Sequence, residues 1–462
     1  MNFDQLFAVA AANLCFLAAG VGLTRLFGFW RSPRDLLRVV GIAYMVGVAA
    51  VGVLATLLLV AGLSLSIPQV LVLCGLLAAT GLLRLSEPFP RPEPLARRLR
   101  AFVLVASGLL AVYLLALLAL TAVQPMTGYD SWALWSVKAR AIVLLDGLDP
   151  DVFASPAYTA VRREYPLFVP ALEAIDYRFM RDNETYLVHL QFWFVVAGFF
   201  VAAVQLLRDR ISPLLVWPAL LLLAVAPRFG RGLALGAADL PLALFFGLAV
   251  LAGWRYVDRP DRRWLFLLGT FAAAAAVTKR EGLAYVAVLV VALLLLARWR
   301  GRRILPLAVA GAVSFVPLGV WSIWRSAHDV GAADTPISDF LSPAYLSDHA
   351  DRIWPAFRAL GREAFDPELW LLLPVLLVLA AALAFAVGRD RGTAVFAVGL
   401  VAVLFAWIAW GAVVHKASVE GFAAKTAHRV AATPSVVAAL LLPLLASALV
   451  RDGRARDSTV LK

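Results

Sequence analysis

Long apolar runs are the feature that most constrains this chain. Stretches of roughly 18 or more residues with few charges recur along the sequence, each long enough to cross a hydrocarbon layer of about 30 Å as a helix. The composition agrees: 62% of the residues are hydrophobic and 16% are charged, whereas soluble domains contain about 45–50% apolar and about 25% charged residues. These properties exclude a soluble globular domain and predict an all-α polytopic membrane protein.

The apolar runs predict roughly thirteen membrane spans when about 20 residues of low charge are required for each. Nothing before Leu6 resembles the basic region of a signal peptide, so we expect the first span to be retained. Pro213 and Pro218 interrupt one short segment, 212–227. The expected spans are 6–24, 38–62, 67–84, 101–122, 185–207, 212–227, 239–256, 264–278, 282–298, 304–325, 369–388, 393–414 and 430–450.

The positive charges predict the orientation. Arginines cluster in alternate connections, for example at 25–38, 97–100, 255–263 and 298–303. With an extracytoplasmic N-terminus, every such cluster and the C-terminus lie in the cytoplasm, as the positive-inside rule requires. We therefore expect a multi-pass protein of the inner (plasma) membrane. The formal net charge of +12 then marks cytoplasmic loops and gives no reason to expect a nucleic-acid partner.

The same pattern suggests a division of the chain. Residues 1–86 form a three-span N-terminal extension, 87–100 a cytoplasmic linker rich in proline and arginine, 101–450 the main transmembrane unit, and 451–462 a cytoplasmic tail. In the main unit, three extracytoplasmic loops are too long for simple connectors and are rich in aromatic residues and proline, which predicts ordered, functional segments. These loops are 123–184, 326–368 and 415–429.

The first long loop carries a carboxylate next to a tryptophan-rich segment. On an ideal helix, one face opposite Asp130 would consist of Trp132, Trp135, Ala139, Ile142 and Val143. This pattern predicts an amphipathic helix at the membrane surface, with tryptophans at headgroup level and the carboxylate above them. Alternatively, Asp130 only caps the N-terminus of that helix.

Two further charged sites lie at the predicted outer ends of spans. Asp239 precedes Pro241, so it either caps a helix or is a functional acid at membrane depth. Thr278 and Glu281 have the spacing of a capping box, but capping does not explain Lys279 and Arg280, because cations in a first helical turn oppose the helix dipole. A bound anion such as phosphate would explain them; snorkelling to lipid headgroups is the alternative.

Other cations break the inside-positive trend by lying in predicted outer loops. They could bind lipid phosphate or outer-leaflet headgroups, and the sequence favours neither. The histidines have no metal-ligand spacing, so no metal site is predicted. These outer-loop cations are Arg325, His328, His415, Lys416, Lys425, His428 and Arg429.

Four motifs, taken in order, resemble the GT-C class of membrane glycosyltransferases, most closely the family 39 and aminoarabinose-transferase-like branch. The resemblance covers about residues 100–450; the three N-terminal spans and the lack of a soluble C-terminal domain depart from the family pattern. The motifs are Gly128-Tyr129-Asp130 with the following tryptophans, Glu164-Tyr165-Pro166, Ala238-Asp239-Leu240-Pro241 and Thr278-Lys279-Arg280-Glu281-Gly282.

The resemblance implies a fold and a reaction. The fold would be a GT-C-like bundle of about 13 transmembrane helices with extracytoplasmic amphipathic loop helices. The chain would transfer a sugar, with inversion, from a polyprenyl-phosphate donor to an envelope glycan, lipid or protein on the extracytoplasmic side.

The resemblance also implies roles for individual residues. Asp130 would be the general base, and Asp239 a second catalytic carboxylate that orients a substrate or holds a divalent metal ion, whose involvement stays open. The donor phosphate would bind Lys279, Arg280, Arg325, His415, Lys416 and Arg429. The sugar or acceptor would contact Glu281, Glu164, Tyr129, Trp132 and Trp135.

The main alternative is a transporter or flippase of a lipid-linked or anionic substrate. Transporters place charges near the bilayer midplane and often contain inverted repeats. No internal repeat is visible here, and the charges away from the cytoplasmic boundary gather at the outer interface, which favours surface chemistry. An inactive lipid-binding member of the same fold is compatible with the sequence as well.

Overall fold

The computed structural model describes residues 3–83, 85, 95–183, 185–331, 342–414, 419–422 and 426–450. For residues 159, 160, 346, 420 and 422 it describes the backbone only. The predicted tail 451–462, most of the predicted linker, and His415, Lys416 and Lys425 lie outside the described residues. All regular secondary structure in the described residues is helical, and they contain no β-strand.

The first half of the chain forms twelve α-helices, numbered here in chain order. A π-helical stretch, Ser131–Ser136, precedes α6. The helices are α1 (Phe3–Leu26), α2 (Pro33–Leu36), α3 (Val40–Val60), α4 (Ile67–Ala79), α5 (Arg97–Val123), α6 (Val137–Leu144), α7 (Pro150–Ala154), α8 (Phe168–Met180), α9 (Leu190–Leu207), α10 (Pro213–Val225), α11 (Pro227–Leu235) and α12 (Asp239–Asp258).

The second half continues the helical bundle. Its described helices are α13 (Arg262–Thr278), α14 (Arg280–Trp299), α15 (Leu305–Ser314), α16 (Val316–Ala327), α17 (Pro343–Asp348), α18 (Ile353–Phe365), α19 (Pro367–Trp370), α20 (Leu373–Ala386), α21 (Arg391–Val414), α22 (Val419–Phe422), α23 (His428–Val430) and α24 (Ala432–Val450). Short 3₁₀ turns cover Thr80–Leu82, Pro156–Val161, Tyr186–His189 and Ala350–Arg352.

Nine helical segments in the described chain are long and apolar enough to cross a membrane, which makes it an all-α polytopic membrane protein. They are Phe3–Leu26, Val40–Val60, Arg97–Val123, Tyr186–Leu207, Asp239–Asp258, Arg280–Trp299, Leu305–Ala327, Arg391–Val414 and His428–Val450.

Fewer helices meet the length and composition criterion than the roughly thirteen spans predicted from the sequence. Helices occupy every predicted position, but α4, α13 and α20 contain 13, 17 and 14 residues, too few for the criterion. The predicted span 212–227 is instead α10, which meets α11 at an angle of 56°. Ala226 is extended there, because the following Pro227 disfavours a helical conformation in the preceding residue. Thirteen spans stay a prediction.

Small residues allow neighbouring helices to approach closely, as in other membrane bundles. A Cβ atom on Gly20 of α1 would lie 1.7 Å from the carbonyl oxygen of Ala43 of α3. A Cβ atom on Gly282 of α14 would lie 2.0 Å from the carbonyl oxygen of Ala275 of α13. The second contact matters for the candidate site, because it presses α13 and α14 together on both sides of Lys279.

The N-terminal helices pack into the rest of the bundle. A Cβ atom on Gly41 of α3 would lie 2.5 Å from the backbone nitrogen of Ala202 of α9, and Gly52 faces the ring of Phe168 on α8. Asn13 of α1 donates a hydrogen bond to Gln191 of α9 at 2.8 Å. The predicted extension therefore shares one hydrophobic core with the main unit.

Ion pairs connect helix ends at one end of the bundle. Arg210 pairs with Asp258 at 2.8 Å, and Arg300 pairs with Asp390 at 2.5 Å. Arg300 also donates a hydrogen bond to Thr393 at 2.7 Å. Because Asp258 ends α12 and Asp239 begins it, this arginine-rich end lies opposite the end that carries Asp239. The side of the membrane on which each end lies stays a prediction.

Candidate functional site

Asp130 lies at the start of the helical segment that packs against the end of α11. The Ser131 hydroxyl donates a hydrogen bond to the carbonyl oxygen of Leu235, and a Cβ atom on Gly128 would lie 2.7 Å from the same oxygen. Gly236 then ends α11 with a left-handed φ of 61°, a conformation that glycine adopts readily. This junction places Asp130 beside the start of α12.

The Asp130 carboxylate forms an ion pair with Arg429. A guanidinium nitrogen of Arg429 donates to Asp130 Oδ2, and the two side chains are only 15% and 19% exposed. Asp130 forms no side-chain hydrogen bond that caps the following helix. The capping interpretation is therefore wrong, since the carboxylate is directed at a cation 299 residues away in the sequence.

A second ion pair joins Asp239 and Lys279. Lys279 Nζ lies 2.8 Å from Asp239 Oδ1 and 3.2 Å from Glu281 Oε1. Lys279 is 4% exposed and Asp239 is 6% exposed. Burial alone would lower the pKa of Lys279, but the carboxylates of Asp239 and Glu281 raise it above its usual value. The ammonium group therefore stays charged.

The local backbone explains why Lys279 can reach Asp239. Lys279 is extended, with φ −155° and ψ 159°, and is the single residue between α13 and α14. The Thr278 hydroxyl donates to the carbonyl oxygen of Ala274, so the predicted capping box with Glu281 is not formed. Asp239 likewise forms no cap hydrogen bond. In the structure, the negative charge that offsets Lys279 comes from the carboxylates of Asp239 and Glu281.

Arg429 connects the two ion pairs and lines a cavity next to them. Its guanidinium group is held by Asp130 and is also close enough to Asp239 and Glu281 to interact with both electrostatically. Asp239 and Arg429 both line the cavity, whose empty volume is about 350 Å³ including its opening. The lining residues are Arg228, Phe229, Arg231, Gly232, Leu235, Ala237, Asp239, Leu240, Trp370, His428, Arg429 and Ala432.

Arg228 and Arg231 also line this cavity, although the sequence predicted no role for them. Arg228 is held by Glu363 of α18: both charged groups are largely buried, and Arg228 Nη2 lies 2.8 Å from Glu363 Oε2. Arg231, one turn further along α11, is exposed and forms no ion pair with any described residue. The sequence could have indicated that both arginines line the site. They lie three residues apart shortly before Asp239, and residues at this spacing share a helix face.

The aromatic residues near Asp130 do not share a face. Trp132 is 48% exposed and contacts Tyr129, itself 58% exposed, edge to face. Trp135 is only 1% exposed and packs against Tyr165 and Lys138. The prediction failed because Ser131–Ser136 is π-helical and has more residues per turn than the assumed α-helix. Of these three aromatic residues, Tyr129 and Trp132 are exposed and Trp135 is buried.

Glu164 and Arg325 belong to a second charged cluster, away from the cavity lining. Glu164 is 3% exposed, and its electrostatic partners are Lys138 and Arg325. Arg280 also acts on Arg325. Lys138, which the sequence analysis overlooked, is fully buried and donates to the carbonyl oxygen of Arg162 at 2.5 Å; burial lowers its pKa to about 7. Glu164 is too enclosed here to contact a sugar.

No group of three or more His, Cys, Asp or Glu side chains in the described part of the chain could hold a metal ion. Asp239 is the residue for which a metal role was considered, and its carboxylate already binds the ammonium of Lys279. A divalent ion there would have to displace Lys279. The two cysteines, Cys15 and Cys74, are free.

Comparison with known proteins identifies no relative: no family model matches the chain, and no match was found among curated proteins or solved structures.

Proposed function

We propose that this chain is a membrane glycosyltransferase of the GT-C type, which moves a sugar from a polyprenyl-phosphate donor to an envelope acceptor at the Asp130 end of the bundle. The observation that supports this proposal most strongly is that Asp239 and Arg429 line one cavity while each forms an ion pair with a residue from another distant part of the sequence, Lys279 and Asp130 respectively. Such an arrangement combines carboxylates that can accept a proton with cations that can bind a phosphate.

In the proposed reaction, Asp130 acts as the general base. An acceptor hydroxyl attacks the anomeric carbon, and its proton passes to the Asp130 carboxylate. The bond from the anomeric carbon to the phosphate oxygen breaks on the opposite side, so the configuration inverts and the phosphate leaves with the bonding electrons. Arg429 and Lys279 would stabilise the charge that develops on this phosphate.

The ion pairs in the structure suggest how the donor prepares the site. In the structure the Asp130 carboxylate is engaged by the Arg429 guanidinium, so it is not free to accept a proton from an acceptor hydroxyl. A lipid phosphate entering the cavity would compete with Asp130 for Arg429 through a bidentate interaction. Donor binding would then release the carboxylate for catalysis.

The function can be tested with purified protein in proteoliposomes. We expect transfer of sugar from at least one member of a panel of polyprenyl-phosphate sugars to native envelope extract. Empty liposomes and heat-inactivated protein serve as controls. If no donor supports transfer while the protein moves a lipid-linked sugar between leaflets, the proposal is wrong and the transporter or flippase is favoured.

Arg231 and Arg228 form a matched pair for testing donor binding. For Arg231→Gln we expect a KM for the donor raised by about tenfold, since a charge-assisted hydrogen bond contributes about 1.5–3 kcal/mol, and an unchanged melting temperature. For Arg228→Gln we expect a lower melting temperature, because Glu363 loses its partner. Steady-state kinetics and thermal unfolding measure the two effects. An unchanged KM for Arg231→Gln would remove Arg231 from the donor site.

A further inference from the structure

Two buried carboxyl groups lie on α8, outside the cavity described above. Glu173 is 1% exposed and Asp176 is 0% exposed. Three residues apart on a helix, they are neighbours on one face. Helix α8 packs against α1 and α3 of the N-terminal extension and against α6. The two acids therefore lie where the extension meets the rest of the bundle.

Most of the oxygen atoms of these carboxyl groups have no partner in the described protein. Glu173 Oε2 accepts a hydrogen bond from the Ser136 hydroxyl at 3.2 Å. Glu173 Oε1 and both carboxylate oxygens of Asp176 are buried and receive no hydrogen bond from any described residue. Burying an unpaired carboxylate is very costly, so a bound cation or a proton has to offset these charges.

The surrounding groups are mostly neutral and rich in oxygen. Tyr44 of α3, which interacts electrostatically with Asp176, donates a hydrogen bond to Asn13 Oδ1 at 2.5 Å. Asn13 in turn donates to Gln191 at 2.8 Å. Glu173 and Gln191 are the polar residues that line an otherwise apolar cavity with an empty volume of about 270 Å³. This cavity leaves space for a small ligand beside Glu173, one helical turn from Asp176.

The charges acting on the pair do not balance when both carboxyl groups are deprotonated. In that state they contribute two negative charges, and Arg140 of α6 is the cation that acts on Glu173. One further positive charge restores neutrality. Hard cations prefer oxygen ligands such as carboxylates, hydroxyls and amide oxygens.

We propose that Glu173 and Asp176 form a binding site for one small monovalent cation, with Na⁺ as the expected ion, at the junction between the N-terminal helices and the rest of the bundle. The site would bind this ion independently of the sugar transfer proposed above. It gives the N-terminal helices a structural role, because Asn13 and Tyr44 complete the polar surroundings of the ion.

Protons should compete with the ion for this site. Burial raises the pKa of Glu173 to about 8, although Ser136 and Arg140 oppose the shift, and burial also raises the pKa of Asp176. The other charged or titratable groups facing the pair are Arg140, Tyr177 and Tyr44. Without the ion, the folded protein holds more protons than the unfolded chain, so its stability falls as the pH rises through the pKa of Glu173. Added Na⁺ should restore that stability.

The test is thermal unfolding of the full chain in nanodiscs, in NaCl, KCl, MgCl₂, CaCl₂ or choline chloride at constant ionic strength, above and below the pKa of Glu173. We expect Na⁺ to raise the melting temperature saturably at the higher pH and less at the lower pH. Glu173→Gln/Asp176→Asn should lose this response, whereas the exposed-site control Asp151→Asn should keep it. A pH dependence without any Na⁺ response would show that protons alone neutralise the pair and would overturn the proposal. A response to divalent ions only would overturn it too.

Discussion

Replacing Asp130 by asparagine should lower the turnover number of sugar transfer by about 10²–10⁴-fold, the usual contribution of a general base. Asparagine preserves the size of the side chain but cannot accept the acceptor's proton at neutral pH. Arg429 would lose its charged partner and become more available to the donor phosphate. We therefore expect the dissociation constant of the donor to stay the same or to fall, measured by equilibrium binding beside single-turnover transfer.

A matched control separates loss of the base from a general loss of charge. Asp151 is an exposed acid in the same predicted loop, and Asp151→Asn should leave both transfer and donor binding unchanged. A variant Asp130→Asn that folds, binds the donor and still transfers at more than about a tenth of the normal rate would contradict the proposed role. Asp130 would then serve only to position Arg429.

Lys279→Met should destabilise the protein by about 3–5 kcal/mol, because it leaves the buried carboxylate of Asp239 without its ammonium partner. The double variant Asp239→Asn/Lys279→Met should recover much of this loss, since it removes a buried charge together with its partner. Both variants should lack transfer activity. Reversible unfolding of the four proteins of this double-mutant cycle gives the coupling between the two side chains.

An exposed ion pair provides the comparison for this cycle. Arg178 pairs with Asp146, whose side chain is 68% exposed. Asp146→Asn should change the free energy of unfolding by no more than about 1 kcal/mol, as is usual for pairs in contact with water. If Lys279→Met were as mild as Asp146→Asn, the Lys279–Asp239 pair would not be the buried, coupled unit described above.

Several features of the fold could be predicted because they follow from local composition. The apolar runs predicted helices, and the structure has a helix at each of those positions. Whether a helix is long enough to span a membrane depends on where it ends. Pro227 ends α10 at Ala226, where α10 and α11 diverge. Hydropathy does not resolve such breaks, because it averages over a window, and α10 and α11 together are long and apolar enough for one span. The chain is therefore all-helical and polytopic as expected, with fewer clear spans than predicted.

The candidate site was partly predictable. Asp130, Asp239 and Lys279 were identified because charged residues stand out beside apolar runs, and Arg429 because it lies in a segment expected to carry little positive charge. Their pairing was not predictable, since Arg429 and Asp130 are separated by 299 residues.

The failures have local causes. Trp135 was misplaced because a π-helical stretch changes the periodicity. Glu173 and Asp176 were overlooked because their segment contains enough charged and polar residues to resemble an ordinary surface helix. Only the folded bundle shows that both are buried.

The contact between Asn13 and Gln191 also has a consequence for biosynthesis. The two residues are 178 positions apart, so at roughly 5–20 residues per second Asn13 is made roughly 10–35 s before its partner. During that interval α1 and α3 carry an amide and a phenol for which lipid offers no hydrogen-bond partner. The newly inserted helices must shelter these groups against each other or against the insertion machinery. Helices α1 and α3 thus complete this polar network only after α9 has been made.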